Sequence, residues 1–243
     1  MNIRSSNAKP SLAECEGLMT ILLAIDTCGP TGSVALGRLS GQIVEIIAQI
    51  ELEGRSYSST LVAAVAEILA HSGVSLRDVN AMVAVNGPGS FTGVRVALAA
   101  VKGLAEPTQI PVVAVSRLEV LAAKSGVPSA ALDAHRHEVF LRLASHAEQG
   151  RELLAGAHEL AAIIPPPQVA LCDEAAALLL GSAWPATELI RTTPPTAADA
   201  LSLCALRVAA GEFVDLALLD GHYLRRSDAE IFGEPVPAAT ARP

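Results

Sequence analysis

The stretch Ala81-Met82-Val83-Ala84-Val85-Asn86-Gly87-Pro88-Gly89-Ser90-Phe91-Thr92-Gly93-Val94-Arg95 decides how this chain folds. Five apolar residues in a row read as a strand covered on both faces. Glycine and proline then force a turn. From Phe91 the apolar spacing becomes helical, with Phe91, Val94, Leu98 and Val101 expected on one side of a helix running to about Ala105. A buried strand, a glycine turn and a helix in that order belong to an α/β architecture.

Upstream, Ile21-Leu22-Leu23-Ala24-Ile25 is a second continuous apolar run, and it ends at Asp26-Thr27. Gly29, Pro30 and Gly32 mark a turn. Ser33 to Leu39 and Ile43 to Ile50 read as two further strands parted by Ser40-Gly41, which makes an antiparallel meander. Leu61, Val65, Ile68 and Leu69 have helical spacing between Ser56 and His71, with Ser58, Ser59 or Thr60 as candidate caps. Downstream, Pro107 and Pro111 bracket a linker to a strand at Val112 to Val115. Weaker signals follow: a helix at Leu118 to Lys124 and strands at Ala130 to Asp133 and Val139 to Leu143. Beyond a Pro165-Pro166-Pro167 break come a strand at Val169 to Cys172 and a helix at Glu174 to Leu180. A final helix is expected from about Ala197 to Ala210.

Hydrophobic residues make up 51% of the 243, enough for a large core, while aromatics are only 3%. The net charge of −8, with Arg225-Arg226 the one adjacent basic pair, argues against unaided nucleic-acid binding, which needs a basic footprint and stacking rings. Cys15, Cys28, Cys172 and Cys204 form no CxxC pair, so neither a zinc ribbon nor a disulfide framework is expected. The apolar runs are all shorter than the ~18 residues of a spanning helix. Glu14 and Glu16 interrupt the place of a signal peptide. A soluble, cytoplasmic chain is the expectation, with residues 1–18 a disordered extension and Met19 an alternative start.

The glycine segment brings backbone N–H groups and a helix N-terminus together, as an anion site does, although a tight turn without ligand is the alternative. A P-loop is excluded: the segment holds no lysine, and the next is Lys102. A dinucleotide fingerprint is excluded too, because Thr92 stands where its third glycine belongs and Ser116 where its acidic residue belongs.

The ten residues Asn86 to Arg95 closely resemble the GPGSFTGxR signature of the bacterial TsaB family. Ile21 to Thr27 resembles that family's ILAIDTS, with Cys28 in place of the serine. Leu132-Asp133-Ala134-His135-Arg136 with Val139-Phe140 resembles its LDARRxEVY, and Tyr223-Leu224-Arg225 followed by Ala229 its terminal YLRxxxA. The similarity spans roughly Met19 to Ile231. Tyr57-Ser58-Ser59 stands where the family often has His-Ser-Glu.

This resemblance implies an actin-like, two-lobed α/β fold related to ribonuclease H, each lobe a mixed sheet with helices packed on it. The expected division is 19–106 for the first lobe and 107–231 for a degenerate second one, with the last helix free to pack back on the first, and 232–243 as a flexible tail. It implies a non-catalytic subunit that scaffolds the TsaD transferase in making tRNA threonylcarbamoyladenosine. The ATPase TsaE joins, tRNA is contacted indirectly, and a homodimer is an option when the chain is alone. No cofactor is expected on the lone chain, with ATP or ADP an option in the complex. The alternatives are a self-sufficient actin-like ATPase or kinase and a metallopeptidase-like protein.

Asp26 occupies the position where actin-like kinases place a carboxylate facing metal or phosphate. With it, Thr27, Gly32, Ser33, Asn86, Gly87, Pro88, Gly89, Ser90, Thr92, Gly93 and Arg95 form the candidate nucleotide-facing set. The alternative for Asp26 is a brace of its own turn. Asp133 is its candidate counterpart in the second lobe. TsaD holds its metal with an HxxxH pair, whereas His71, His135, His137, His146, His158 and His222 contain no such pair, so no metal ligand is assigned. His135 and His137 alternate on an expected strand, or else are solvated loop residues. No Gly-x-Ser-x-Gly elbow occurs. The resemblance also implies that the helix bearing Val62 and Ala66 and the helix bearing Ala99, Ala100 and Gly103 meet the paralogue. Small residues there let helix axes approach closely.

Overall fold

The computed structural model describes residues 20–54, 56–145 and 150–225. The expected extension at 1–18, the tail at 232–243, Cys15, His146, Arg226 and Ala229 lie outside them.

The two continuous apolar runs become the strands at the heart of the first sheet. β1 (Thr20–Asp26) and β4 (Val79–Val85) lie parallel and side by side, with Leu22 to Ile25 and Ala81 to Val85 almost wholly buried. β2 (Thr31–Ser40) and β3 (Ile43–Glu53) continue antiparallel from β1, and β5 (Val112–Val115) pairs parallel to β4. The sheet order is β3-β2-β1-β4-β5. The first sheet therefore takes in β5, beyond residue 106, because Val112 to Val115 pair with Met82 to Val85.

Helices α1 (Tyr57–His71) and α2 (Phe91–Thr108) cover one face of this sheet. Leu61, Val65 and Ile68 of α1 and Val94, Leu98 and Val101 of α2 enter the core. Ser56, not Ser58 to Thr60, takes the N-cap position of α1. Pro107 falls inside the last turn of α2 and not in a linker. α6 (Ala197–Ala209) covers the other face, where Leu201, Cys204 and Val208 join the same core.

After α3 (Arg117–Ser125) the chain builds the same layout again. β6 (Ala130–Asp133), β7 (Val139–Leu143) and β8 (Arg151–Ala155) form an antiparallel meander. α4 (Ala157–Ala162), β9 (Gln168–Leu171), α5 (Glu174–Ala183) and β10 (Glu188–Arg191) follow. The order β10-β9-β6-β7-β8, with β9 parallel to β6 and β10, is the first sheet's pattern read from the other edge. β6 thus takes the part of β1, and β9 that of β4. Alternation along β6 serves two layers: Ala131 packs with α4 and α5, whereas Ala130 and Leu132 pack with Leu118 and Leu121 of α3. α3 is held to α6 by Lys124, which donates to Asp199 at 2.8 Å. Among the described residues no helix is long and apolar enough to cross a membrane.

Candidate functional site

β1 delivers Asp26 to the carboxyl end of the first sheet, the edge where open α/β sheets place ligands. The carboxylate is already engaged on both oxygens. Oδ1 accepts from the Cys28 backbone N–H at 2.8 Å, which closes a tight turn. Oδ2 accepts from Arg117 Nε at 3.3 Å, the two side chains being 2% and 6% exposed. Arg117 is the first residue of α3, and its own N–H donates to the Gly87 carbonyl at 2.6 Å. The guanidinium also fills the space beside Gly29, where an added Cβ would strike it. From the other side Tyr57 donates its hydroxyl to the Gly29 carbonyl at 2.8 Å. Burial, reinforced by the Asp26 charge, pushes that phenol up to about 12.

The other candidates around Asp26 are turned inward as well. Thr27 donates to the Gly93 carbonyl at 2.6 Å. Ser33 accepts from Ala197 N–H at 2.8 Å and so holds the start of α6. A Cβ on Gly32 would lie 2.7 Å from the Asp26 carbonyl oxygen and 2.8 Å from the Tyr57 ring.

The glycine loop lies directly on the β1–β2 turn. Ser90 N–H donates to the Cys28 carbonyl at 2.8 Å. Added Cβ atoms on Gly89 and Gly93 would run into the carbonyl oxygens of Cys28 and Thr27. Close approach of backbone to backbone therefore requires glycine at both positions, without invoking a phosphate. Ser90 caps α2 by accepting from Gly93 N–H at 3.2 Å. Gly87, at φ +112°, precedes a cis peptide to Pro88, and both are buried. Asn86 accepts on its carbonyl from His222 N–H at 2.7 Å and donates from its side chain to the Asp220 carbonyl at 3.3 Å.

Thr92 and Arg95 depart from the set. Thr92 is exposed. The Arg95 guanidinium sits 3.7 Å from the centre of the Phe91 ring, and its Nε donates to the Tyr223 hydroxyl at 3.3 Å. Phe91 is 44% exposed, so it belongs to this outer cluster and not to the buried side expected of it. As the first residue of α2 it has no preceding turn to cover it, and Tyr223 meets it instead, ring centres 5.3 Å apart.

The second lobe repeats the first at its strand end. Asp133 closes β6, and its Oδ1 accepts from His135 N–H at 2.8 Å, the same two-residue turn that Asp26 makes. His135, Arg136 and His137 have φ of 59°, 57° and 63°. The two histidines thus occupy an exposed left-handed turn, the solvated-loop alternative and not the strand. Three L-residues in that region end the strand, since its pleat requires negative φ. Among the described residues no three His, Cys, Asp or Glu side chains are placed to hold a metal.

One cluster escaped the sequence reading. A cleft of about 310 Å³ is lined by Asn86, Ala114, Ser116, Gly150, Glu152 and His222. Glu152 Oε2 accepts from Ser116 Oγ at 2.7 Å and meets His222 Nε2 at 2.8 Å, while Oε1 accepts from Arg142 at 3.1 Å. Burial would raise this carboxyl, but the hydrogen bonds from His222 and Ser116 and the nearby positive charge bring it below its ordinary value. Serine and histidine both bond to the carboxylate and not to each other, so Ser116 lacks the adjacent base that a nucleophile needs.

The candidate interface residues sit on the outer side of the first lobe's helix pair. Val62 is 60% exposed, and Ala66, Ala99 and Gly103 are exposed too. An added Cβ on Gly103 would meet nothing within 4 Å. Ala100 departs from them: it is half-buried and packs on the core.

Two copies of one five-stranded sheet, with an aspartate closing the central strand of each, define an actin-like, two-lobed α/β protein. The fold is shared with a crystal structure of an uncharacterized protein from Pseudomonas aeruginosa with similarity to the peptidase YeaZ, at a TM-score of 0.70 and 30% identity. That likeness covers 85% of this chain and 100% of the other. The chain belongs to the TsaB/YeaZ family. It is 38% identical over 125 residues to the tRNA threonylcarbamoyladenosine biosynthesis protein TsaB of Escherichia coli, and 38% identical over 129 residues to that of Bacillus subtilis. Those matches cover 49% and 51% of this chain, and 52% and 55% of the relatives, so it spans about half the length of the curated relatives it matches. Residues 45–165 match a family model described as TsaD, tRNA N6-adenosine threonylcarbamoyltransferase.

Proposed function

We propose that this chain works in the biosynthesis of tRNA threonylcarbamoyladenosine as a non-catalytic partner of a TsaD-type transferase. The observation that carries the reading is the double engagement of Asp26. A phosphotransfer fold uses that carboxylate toward a metal or phosphate, and here Cys28 N–H and the Arg117 guanidinium hold both its oxygens. To coordinate a metal, Asp26 would have to expel a buried cation of its own chain. An architecture of this kind, with that group locked inward, suits a subunit that shapes another enzyme.

The partner surface in this reading is the exposed side of α1 and α2, with Val62, Ala66, Ala99 and Gly103. Small side chains there let two helix pairs approach closely. TsaE joins the assembly, ATP or ADP belongs to it and not to the lone chain, and tRNA is met indirectly. A second copy of this chain takes the same face when the transferase is absent, since paired helices of this kind reuse one patch.

The test is reconstitution. The purified chain is incubated with and without the transferase, TsaE, ATP and substrate tRNA, and modified adenosine is followed. Modification should require both the chain and the transferase, and the chain alone should neither modify tRNA nor hydrolyse ATP. Magnesium-dependent ATP turnover by the lone protein would overturn the proposal. Replacing Gly103 or Ala99 by Trp should abolish co-purification with the transferase while the thermal transition of the chain is unchanged.

A further inference from the structure

Seven aromatic side chains occur in the whole sequence, and Tyr57, Phe140 and Trp184 are buried. Phe91 and Tyr223 are instead 44% and 39% exposed, and they touch. Arg95 lies between them: its guanidinium is 3.7 Å from the Phe91 centroid and 6.0 Å from that of Tyr223, with Nε bonded to the Tyr223 hydroxyl. The arginine is therefore held in one orientation by two rings, a pairing that costs water contact on all three groups. Among the described residues no carboxylate forms an ion pair with it. A fixed guanidinium fork with unspent donors is matched by a planar carboxylate or a phosphate.

Two further facts choose between these. The chain carries a net charge of −8, which argues against an extended basic footprint for a nucleic-acid backbone to follow. Along α2, Arg95 is followed at four-residue steps by Ala99 and Gly103, both exposed. An arginine and two aromatics at the end of a strip of small side chains have the composition of a protein-interface anchor.

We propose that Phe91, Arg95 and Tyr223 form the anchor of a protein-docking surface that receives an Asp or Glu of the partner on the Arg95 guanidinium. The proposal rests on the reading of α1 and α2 as the face that meets the transferase, and it adds a charged, directional contact to that face. The C-terminal segment takes part through Tyr223. The same segment is tied to the first lobe by His222 N–H and to the second by Arg225, which bonds the Ala134 carbonyl at 2.8 Å and the Glu138 carboxylate.

The experiment measures binding of the full chain to the TsaD-type transferase of the same genome by calorimetry. Wild type is compared with Arg95→Glu, Arg95→Gln and Tyr223→Phe, each checked by its thermal transition. Binding should weaken at least about tenfold for Arg95→Glu and less for Arg95→Gln. Reversing one carboxylate of the transferase to Lys should restore the Arg95→Glu complex and not strengthen that of the wild type. Equal affinity of wild type and Arg95→Glu would overturn the anchor and leave the proposed function standing. Failure of wild type to bind at all would overturn both. Should Arg95→Glu bind the transferase normally and lose only affinity for tRNA in the assembled complex, the anchor is overturned in favour of a phosphate contact.

Discussion

Arg117 Nε stands 3.3 Å from Asp26 Oδ2, and the two side chains are 6% and 2% exposed. The chain joins them across 91 positions, from the end of β1 to the start of α3. Burial, the largest single influence, opposes the charge on Arg117, yet the charge and hydrogen bond of Asp26 together with Cys28 and Cys172 outweigh it and push its ionisation up. Each member makes the other tolerable in a place with little water. The pair also fastens the segment that opens the second lobe to the loop at the edge of the first sheet.

Removing one partner should therefore be far worse than removing both. Arg117→Met leaves a buried carboxylate with one oxygen bare and should cost about 3–5 kcal/mol in urea unfolding. Asp26→Asn combined with Arg117→Met keeps an acceptor for Cys28 N–H and strands no charge. The double variant should recover most of the loss. Additive losses in the two single variants and the double would contradict the pairing.

Little of this pair was legible beforehand, whereas the sheet around it was. Ile21 to Ile25 and Ala81 to Val85 are buried on both faces, and that demand writes continuous apolar runs. Edge strands make no such demand. β10 is four residues with charged, exposed ends, and β8 begins with Arg151-Glu152, so neither shows a period. Glu152 escaped for the same reason, and its partners Ser116 and His222 lie 36 and 70 positions away. Arg117 carried no local signal, because an arginine after a strand is ordinarily a surface residue. The glycine loop was recognised, but Gly89 and Gly93 are glycines for the sake of Cys28 and Thr27, 61 and 66 positions away, which no spacing rule reveals.

The thiols report on the same region. Burial, with the Asp26 charge added, pushes Cys28 well above its ordinary value, and burial pushes Cys204 up to about 12. Cys172 is only half-buried, and its rise is also due to burial. With iodoacetamide at pH 8, mass spectrometry of the native protein should find Cys172 alkylated well before Cys28 or Cys204. Urea should equalise them. Early labelling of Cys28 would mean that the glycine loop lifts from the β1–β2 turn.

Glu152 sets an acid limit. Its carboxyl is lowered in the folded state, burial being outweighed by His222, Ser116 and Arg142. A depressed carboxylate contributes stability that is fully present above the unfolded value, ordinarily 4.5, and is lost as pH falls through the folded one. Glu152→Gln should thus be less stable than wild type at pH 7, and the gap should close as the pH is lowered below 4.5. Denaturant midpoints at a series of pH values check it. A gap constant with pH would place the effect in packing and not in charge.

Two glycines in α2 should respond to alanine with opposite sign. At Gly93 the new Cβ would meet the Thr27 carbonyl oxygen, a backbone atom that can yield only if the β1–β2 turn moves. Gly93→Ala should cost roughly 1–3 kcal/mol, as overpacked sites do. At Gly103 the Cβ meets nothing within 4 Å, and helical alanine is favoured over glycine by roughly 0.5–1 kcal/mol. Gly103→Ala should therefore raise the melting temperature of the isolated chain. If that position packs against a partner helix, the same methyl group stands in the contact. The stabilised variant should then bind the transferase no better than wild type, and Gly103→Trp not at all. Equal binding by all three would remove Gly103 from the interface while leaving the stability argument intact.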